Sequence, residues 1–113
     1  MEIVKLLKNQ IEDIDLPENV NEVYYLKNKL EMIGYGFINY NSLNEIEIFI
    51  KEDYREEGNG KILFDAIYKD FNKKDIHLRI DFNNYSMLKI AEEYNGLDLG
   101  ANDGFVSYVI KKD

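Results

Sequence analysis

Apolar residues recur at two periods along the chain, and each change of period marks a predicted element. Residues 45–50 alternate strictly, with three isoleucines on one face and two glutamates and Phe49 on the other, which predicts a half-buried strand. From residue 60 onward the spacing becomes helical, and the apolar stripe comprises Ile62, Leu63, Ala66, Ile67 and Phe71. Residues 76–82 alternate again. Residues 46–82 therefore predict a β-α-β unit, which requires a parallel strand pair and a right-handed crossover.

The segments before this unit predict further strands. Residues 2–10 fit either a short strand or a helical turn, and the pattern does not decide between them. Residues 23–26 are rich in strand-forming side chains. Residues 32–40 predict the next strand, in which Gly34 and Gly36 share a face. Glycines placed in this way usually permit a close backbone approach or a bend.

After the unit, a second helical stripe starts near Asn84, and its apolar members are Met87, Ile90, Ala91 and Tyr94. Residues 104–112 predict a final strand. The predicted order is β, β, β, β, α, β, α, β, which is a mixed α/β (α+β) fold. At 113 residues the chain has the length of a single domain, residues 1–113.

Composition argues against several classes of function. The chain has no cysteine, which removes disulfides, thiolate metal sites and a cysteine nucleophile, and the spacing of His, Asp and Glu predicts no metal site. The apolar runs are too short to span a bilayer and the first residues lack a secretory signal, so we expect a cytoplasmic protein with no membrane partner. The formal net charge of -8 argues against nucleic-acid binding. The acidity indicates either solubility or an acidic cleft that attracts a cationic substrate.

The turn between the strand and the first helix carries the candidate chemistry. Residues 55–61 place Gly58 and Gly60 at the start of the helix, where backbone N–H groups lack partners and the dipole end is positive. Glycine lets the backbone approach an anion without a Cβ in the way. Arg55 can add a charge-assisted hydrogen bond to a phosphate oxygen. The turn therefore predicts an anion site, although a Gly-x-Gly turn also occurs as a simple connector.

Residues 48–63 resemble the central motif of the GNAT acyl-CoA N-acyltransferases, in which an Arg/Gln-x-x-Gly-x-Gly/Ala turn binds the cofactor pyrophosphate. The glycine-bearing residues 32–36, and Asn84 at the opening of the second helix, resemble the family as well. The resemblance extends over roughly residues 23–112 and implies a GNAT-like mixed sheet that binds acetyl-CoA (coenzyme A). The cofactor-binding residues that it implies are Phe49, Ile50, Arg55, Glu57, Gly58, Asn59, Gly60, Lys61 and Asn84.

Two departures from the family pattern concern catalysis. Many members carry a tyrosine seven positions after the asparagine, which serves as general acid toward the departing thiolate, whereas this chain has Ala91 there. Tyr94 lies one helical turn on and becomes the candidate acid only after a shift of register. It also fits the apolar stripe, which indicates core packing. Residues 2–20 are few for the two helices that usually wall the acceptor site in this family.

Glu45 and Glu47 are the candidate bases. Transfer of an acetyl group to an amine needs a neutral amine, and a positioned carboxylate can accept its proton. Both residues lie on the strand that leads to the turn, where some GNAT enzymes place such a base. A solvated strand face is the alternative interpretation. His77, Arg79 and Asp81 extend a face that is too polar to be fully covered by helices, and we expect it to meet water, a partner subunit or the acceptor.

These features support two hypotheses and a weaker third. The first is an N-acetyltransferase that transfers an acetyl group from acetyl-CoA to a primary amine of a small molecule or protein. The second is a catalytically reduced GNAT-like module that binds coenzyme A or a protein partner without acyl transfer, which Ala91 and the short N-terminal segment favour. The third is an unrelated small α/β domain in which the turn is only a connector. Open strand edges also favour a homodimer.

Overall fold

A computed structural model describes residues 1–12, 14–40, 44–71 and 75–111. The strands are β1 Glu2–Leu7, β2 Glu22–Lys27, β3 Met32–Tyr40, β4 Asn44–Ile50, β5 Ile76–Asp81, β6 Leu97–Asn102 and β7 Phe105–Ile110, and the helices are α1 Asn59–Asp70 and α2 Tyr85–Glu93. The strands form one mixed sheet in the order β1-β2-β3-β4-β5-β7-β6. Within the described ranges, neither helix is long and apolar enough to cross a membrane.

Most of the predicted elements are present. The alternating residues 45–50 form β4, the first helical stripe forms α1, and the second forms α2. The open choice at residues 2–10 is resolved as strand β1 followed by a 3-10 turn at Lys8–Gln10. The final predicted strand corresponds to β7, and residue 112 lies outside the described ranges.

Strand β6 was not predicted from the sequence. All six of its residues are exposed, so it lacks the alternation that marks a half-buried strand. Its ladder to β7 also shifts register between Asp98 and Gly100, which interrupts the strand period. The predicted order is therefore corrected to β, β, β, β, α, β, α, β, β.

Both helices pack on one face of the sheet and share a core. Helix α1 lies against β2, β3 and β4, helix α2 lies against β5, and the two helices contact each other. Leu63, Phe64 and Ile67 of α1 are fully buried in the common cluster. Ile62, predicted in the buried stripe, is 42% exposed, because Phe64 rather than Ile62 faces the sheet.

Gly34 and Gly36 permit two close approaches, as their positions in β3 predict. A Cβ on Gly36 would lie 2.9 Å from the Ile67 side chain, so glycine lets α1 lie close to the sheet. A Cβ on Gly34 would lie 2.5 Å from the carbonyl oxygen of Phe49 on β4. Either position would have to shift a neighbouring group to accommodate alanine.

The opposite face of the sheet is covered unevenly by the described residues. A small cluster covers β2 and β3, and its members are Val20, Val23 and Phe37, with Ile11, Leu16, Tyr25 and Tyr35 packed against them. The neighbouring β4–β5 region of this face is here called the open face, and it comprises Glu45, Glu47, Phe49, His77, Arg79 and Asp81. Glu47, Arg79 and Asp81 are exposed there.

Strands β4 and β5 run parallel and separate toward their C-terminal ends. Among the described residues their ladder contains the pair Glu45–His77, near the start of both strands. The predicted β-α-β unit is thereby confirmed. Strand β4 therefore pairs antiparallel with β3 on one side and parallel with β5 on the other.

Candidate functional site

A cleft of about 780 Å³ lies where β4 and β5 separate. The first turns of α1 and α2 contribute to its walls, together with the residues that connect β4 to α1. Its lining combines apolar side chains such as Ile48, Met87 and Ile90 with charged ones such as Arg55 and Lys89. A cavity of this volume lies in the range of small-molecule and cofactor sites.

The rim next to α1 presents free backbone N–H groups. Gly58 caps α1 with a φ of 83°, and the first helical hydrogen bond runs from the Ile62 N–H to the Gly58 carbonyl oxygen at 3.2 Å. The N–H groups of residues 59–61 precede this bond and have no acceptor within the helix. Together with the positive end of the helix dipole, they are able to bind an anion, and the anion site itself stays a prediction.

Gly60 leaves space for an anion at this rim. A Cβ on Gly58 or Gly60 would meet no described protein atom within 4 Å. Gly58 suits its left-handed backbone, whereas Gly60 lies inside α1 without a positive φ. Glycine in a helix costs about 1 kcal/mol relative to alanine, and neither packing nor backbone conformation explains that cost at Gly60. The open space beside Gly60 leaves room for an anion of the size of a pyrophosphate to approach the N–H groups.

The backbone of β4 offers polar groups to the cleft at Ile48 and Ile50. The Lys51 N–H donates to the Ile33 carbonyl oxygen at 2.9 Å, so residue 51 faces β3. Along an antiparallel pair, successive residues alternate in whether their backbone N–H and C=O groups bond to the partner strand. The backbone groups of Phe49 therefore face β3 as well, and the backbone groups of Ile48 and Ile50 face β5. The predicted backbone contact to a pantetheine arm therefore falls on Ile50 and Ile48. The side chain of Phe49, 42% exposed, belongs both to the open face and to the lining of the cleft, so its predicted role in cofactor binding stays a prediction.

Arg55 lies against the end of β4. Its Nε–H donates to the Ile50 carbonyl oxygen at 2.8 Å, and its guanidinium carbon lies 5.8 Å from the centre of the Phe49 ring. Since Nε–H is one of five donors on the guanidinium, Arg55 can keep this bond and still donate to an anion at the rim. Glu57 is exposed and lies outside the lining of the cleft, so the structure gives it no contact with a ligand there.

Asn59 and Lys61 use their side chains within the protein. Asn59 is 3% exposed, and its Nδ2 donates to the Tyr54 carbonyl oxygen at 2.8 Å, which fastens the turn. Lys61 pairs with Asp65 at 3.4 Å and with Glu93 at 3.3 Å, and so joins α1 to α2. The hydrogen bond to Glu93 raises the pKa of Lys61. At both positions the backbone N–H has no acceptor within the helix and is the group that an anion could reach.

Asn84 caps α2 and lines the cleft, which agrees with its predicted position at the opening of the second helix. Its Oδ1 accepts a hydrogen bond from the Met87 N–H at 3.2 Å. The Asp81 Oδ1 accepts from the Asn83 N–H at 2.8 Å and so shapes the turn that brings α2 to the cleft. A direct bond from Asn84 to a cofactor stays a prediction.

Tyr94 packs between the helices. Its hydroxyl donates to the Asp65 carboxylate, and its ring centre lies 4.9 Å from that of Phe64 and 4.7 Å from that of Tyr68. Burial, followed by the hydrogen bond to Asp65, raises the pKa of Tyr94. Tyr94 lies outside the lining of the cleft, and Ala91 is fully buried. This geometry favours the packing role of Tyr94 over the role of general acid.

Glu47 and Glu45 differ in their surroundings. Glu47 is exposed on the open face, where the Asn39 Nδ2 donates to its Oε2 at 3.3 Å. Glu45 is half-buried and lies opposite His77 in the β4–β5 ladder. Glu45 and Glu47 both lie outside the lining of the cleft, and Glu47 is the one adjacent in sequence to Ile48, which belongs to that lining. Within the described ranges no group of three or more His, Asp or Glu side chains is placed to hold a metal ion.

Among the cleft residues that were not predicted from the sequence, three bear most directly on ligand binding: Ile48, Tyr85 and Lys89. Ile48 was assigned to the buried face of β4, and only the backbone register reveals its polar groups. Tyr85 and Lys89 are four residues apart on α2, a spacing that puts both on one side of a helix. This four-residue spacing just after Asn84 is the sequence feature that could have identified the two residues.

Solved structures with similar folds include acetyltransferases. The chain is 16% identical to a Bacillus anthracis str. Ames protein assigned as a streptothricin acetyltransferase and solved with acetyl coenzyme A, with a TM-score of 0.70 over 99% of this chain and 97% of that one. It is 15% identical to the ribosomal-protein-S18-alanine N-acetyltransferase from Escherichia coli, with a TM-score of 0.67 over 87% of this chain and 72% of that one. A Pyrococcus horikoshii OT3 protein is 15% identical at a TM-score of 0.69, over 80% of this chain and 65% of that one, so this chain spans about two thirds of its length. No protein-family model and no curated protein sequence matches the chain.

Proposed function

Because the chain has the fold of the GNAT acyl-CoA N-acyltransferases, we propose that it transfers an acetyl group from acetyl-CoA to a primary amine. The observation that carries this proposal is the cleft between β4 and β5, with the free N–H groups of α1 at its rim. The acetyltransferases among the similar structures support acyl transfer as the general reaction. We also propose a cytoplasmic location, on the sequence grounds given above.

The donor is held mainly by backbone groups in this proposal. The N–H groups of residues 59–61 bind the pyrophosphate, and Arg55 adds a charge-assisted bond. Ile48 and Ile50 pair with the pantetheine arm along the free edge of β4, and an N–H at that edge polarises the thioester carbonyl. When bound, acetyl-CoA supplies an acyl group that is already activated as a thioester.

The acceptor amine approaches across the open face. Glu47, held by Asn39, accepts the proton of the ammonium group directly or through a water molecule. The nitrogen lone pair is then free to form the new N–C bond as the C–S bond breaks. The exposed carboxylate and the net charge of -8 favour an acceptor that is cationic before it reacts.

The departing thiolate has no tyrosine at the position where many family members carry one. Ala91 occupies that position and is fully buried, while the Tyr94 hydroxyl donates a hydrogen bond to Asp65. An ordinary thiol has a pKa of about 8.5, so a thiolate is a weak base near neutral pH. It can therefore leave without a side-chain acid and take a proton from the solvent, to which the acylated nitrogen releases its excess proton as the amide forms.

The same two residues favour a second candidate function. A GNAT-like module that binds coenzyme A, or a protein partner, without acyl transfer needs the α1 turn but no acid near residue 91. In that case the open face serves as a contact surface and not as an acceptor site. The donor site is common to both functions, and acyl transfer distinguishes them.

Calorimetric titration of acetyl-CoA into the wild type and Gly60→Asp tests the donor site. We expect the wild type to bind and Gly60→Asp to bind at least about 100-fold more weakly, because a like charge beside the pyrophosphate costs several kcal/mol. Gly60→Asn has nearly the same size without the charge, and it should lose less affinity. Both variants should fold, since a Cβ on Gly60 meets no described atom within 4 Å.

A thiol-release assay over a panel of amines, including polyamines and lysine peptides, separates the two candidates. Release that depends on the amine supports the transferase. Binding without release across the panel supports the module. A wild-type protein that does not bind acetyl-CoA contradicts both.

A further inference from the structure

The three cations that line the cleft differ in their partners. Lys61 is paired with Asp65 and Glu93, and Arg55 donates to the Ile50 carbonyl oxygen. Lys89, on α2, makes no hydrogen bond or ion pair with the residues that the structure describes, although it lines the same cleft. A cation without a partner at the mouth of a ligand cleft is free to pair with a charge on the ligand.

An exposed aromatic ring lies beside this cation. Tyr85 also lines the cleft, is 74% exposed, and stands four residues before Lys89, so the two side chains are neighbours on the surface of α2. Its position at the start of α2 sets it beyond the core that the two helices share. A planar apolar surface open to solvent next to an ammonium group matches a nucleotide, whose base stacks on rings and whose phosphate pairs with cations.

The proposed donor carries a second phosphate that the α1 turn does not explain. Coenzyme A has the pyrophosphate, bound in our proposal by the N–H groups of residues 59–61, and also a 3′-phosphate on the ribose next to its adenine. A phosphate monoester carries a charge of about -1.5 to -2 at neutral pH. In a protein with a net charge of -8, a cation beside that group would offset the repulsion that the group meets.

We infer that Tyr85 and Lys89 form the subsite for the nucleotide end of coenzyme A, with the adenine on the Tyr85 ring and the 3′-phosphate on the Lys89 ammonium group. This inference rests on the proposed function. It makes α2 a specificity element that distinguishes coenzyme A from shorter or dephosphorylated pantetheine carriers, while the α1 turn binds the part that these carriers share.

Calorimetry with three ligands tests the subsite: coenzyme A, dephospho-coenzyme A and 4′-phosphopantetheine. The wild type should bind coenzyme A about tenfold more tightly than dephospho-coenzyme A, the size of one charge-assisted hydrogen bond. Lys89→Gln should remove this difference by weakening only coenzyme A. Tyr85→Leu should weaken coenzyme A and dephospho-coenzyme A alike, by about tenfold, and leave 4′-phosphopantetheine unchanged.

Lys29→Gln is the matched control, because Lys29 is exposed in the turn between β2 and β3 and carries the same charge. It should bind all three ligands as the wild type does. Equal affinity of the wild type for coenzyme A and dephospho-coenzyme A overturns the inference, as does an equal loss for both in Lys89→Gln, and in these cases the proposed function stands. If the wild type binds none of the three, the proposed function fails and the inference falls with it.

Discussion

The α1 turn and the open face adjoin the same strand, β4, but they are built in different ways. The turn comes from one contiguous segment, residues 55–61, and its donors are backbone N–H groups. The open face combines residues of β4 and β5 such as Glu47 and His77, and Asn39 of β3 donates to Glu47; these residues meet only after the sheet has formed. In the proposed function, the donor site therefore depends on local backbone geometry, and the acceptor site depends on particular side chains.

This difference means that binding and catalysis can change independently in this fold. Substitution of a side chain on the open face leaves the α1 N–H groups in place. A change of backbone at Gly58 or Gly60 leaves Glu47 and Asn39 in place. Ala91 is an example: it occupies the position where the resemblance implies a tyrosine, and the α1 turn has the predicted geometry all the same.

The largest expected effect comes from Glu47→Gln. If Glu47 is the base, kcat for acetyl transfer should fall by about 100-fold or more, because general base catalysis contributes about 10²–10⁴. The affinity for acetyl-CoA should not change, since the donor contacts are backbone groups and Arg55. Thiol-release kinetics and calorimetry on the same variant measure both quantities.

Glu45→Gln is the matched control for this prediction. It makes the same chemical change two residues earlier on the same face, beside His77. We expect kcat to stay close to that of the wild type, because Glu45 lies farther along β4 from Ile48 and the cleft than Glu47 does. If Glu45→Gln lowers kcat and Glu47→Gln does not, the roles of the two carboxylates must be exchanged.

The sequence predicts the turn well because its causes lie within a few residues. Gly58 and Gly60, a preceding alternating strand and a following amphipathic helix all occur between residues 45 and 71. The register of β4 was not accessible in this way. Whether the backbone N–H and C=O groups of Phe49 or those of Ile48 face the cleft depends on the pairing of β4 with β3, which is a property of the whole sheet.

Longer-range contacts account for the other differences. The Asp65 that accepts the Tyr94 hydroxyl is 29 residues away in sequence, so no local pattern identifies it. The phase of α1, which buries Phe64 and exposes Ile62, is set by how the helix docks on the sheet. Strand β6 is fully exposed and therefore has no apolar face for periodicity to detect.

Gly36→Ala tests the close approach of α1 to the sheet that carries both the α1 turn and the open face. The added Cβ would lie 2.9 Å from the Ile67 side chain, so we expect a loss of about 1–3 kcal/mol in the free energy of unfolding, as for overpacked cores. Denaturant titration measures this loss. Ile67→Val removes the contacted methyl group, and in the Gly36→Ala background it should cost less than in the wild type. Additive costs would contradict the proposed contact.

Tyr94→Phe separates packing from acid catalysis. Loss of the hydrogen bond to Asp65 should lower the free energy of unfolding by about 1 kcal/mol, and kcat should stay within about twofold of the wild type. A fall in kcat of tenfold or more, without a change in acetyl-CoA affinity, would restore Tyr94 as the general acid.

Alkaline unfolding gives an independent test of the same bond. The pKa of Tyr94 is raised in the folded state by burial and by Asp65, so the folded protein holds this proton more tightly than the unfolded chain. The resulting stabilisation is complete below the ordinary tyrosine pKa of about 10 and is lost as the pH rises above it. Tyr94→Phe should lose less stability across this window. The pKa of Tyr24 is raised as well, so part of the pH dependence should remain in the variant.

The smallest effect is expected for Gly60→Ala, which should raise stability and weaken acetyl-CoA binding. Alanine should raise the free energy of unfolding by about 0.5–1 kcal/mol, because residue 60 is helical and the new Cβ meets no described atom within 4 Å. The same methyl group should weaken acetyl-CoA binding several-fold by obstructing the approach to the N–H groups. Gly58→Ala is the matched control: it also meets no described atom within 4 Å, but its φ of 83° makes alanine destabilising by about 1–2 kcal/mol. Thermal melting with and without acetyl-CoA measures both the stability and the affinity. A Gly60→Ala protein that is more stable and binds acetyl-CoA as tightly as the wild type would show that ligand binding does not require glycine at this position.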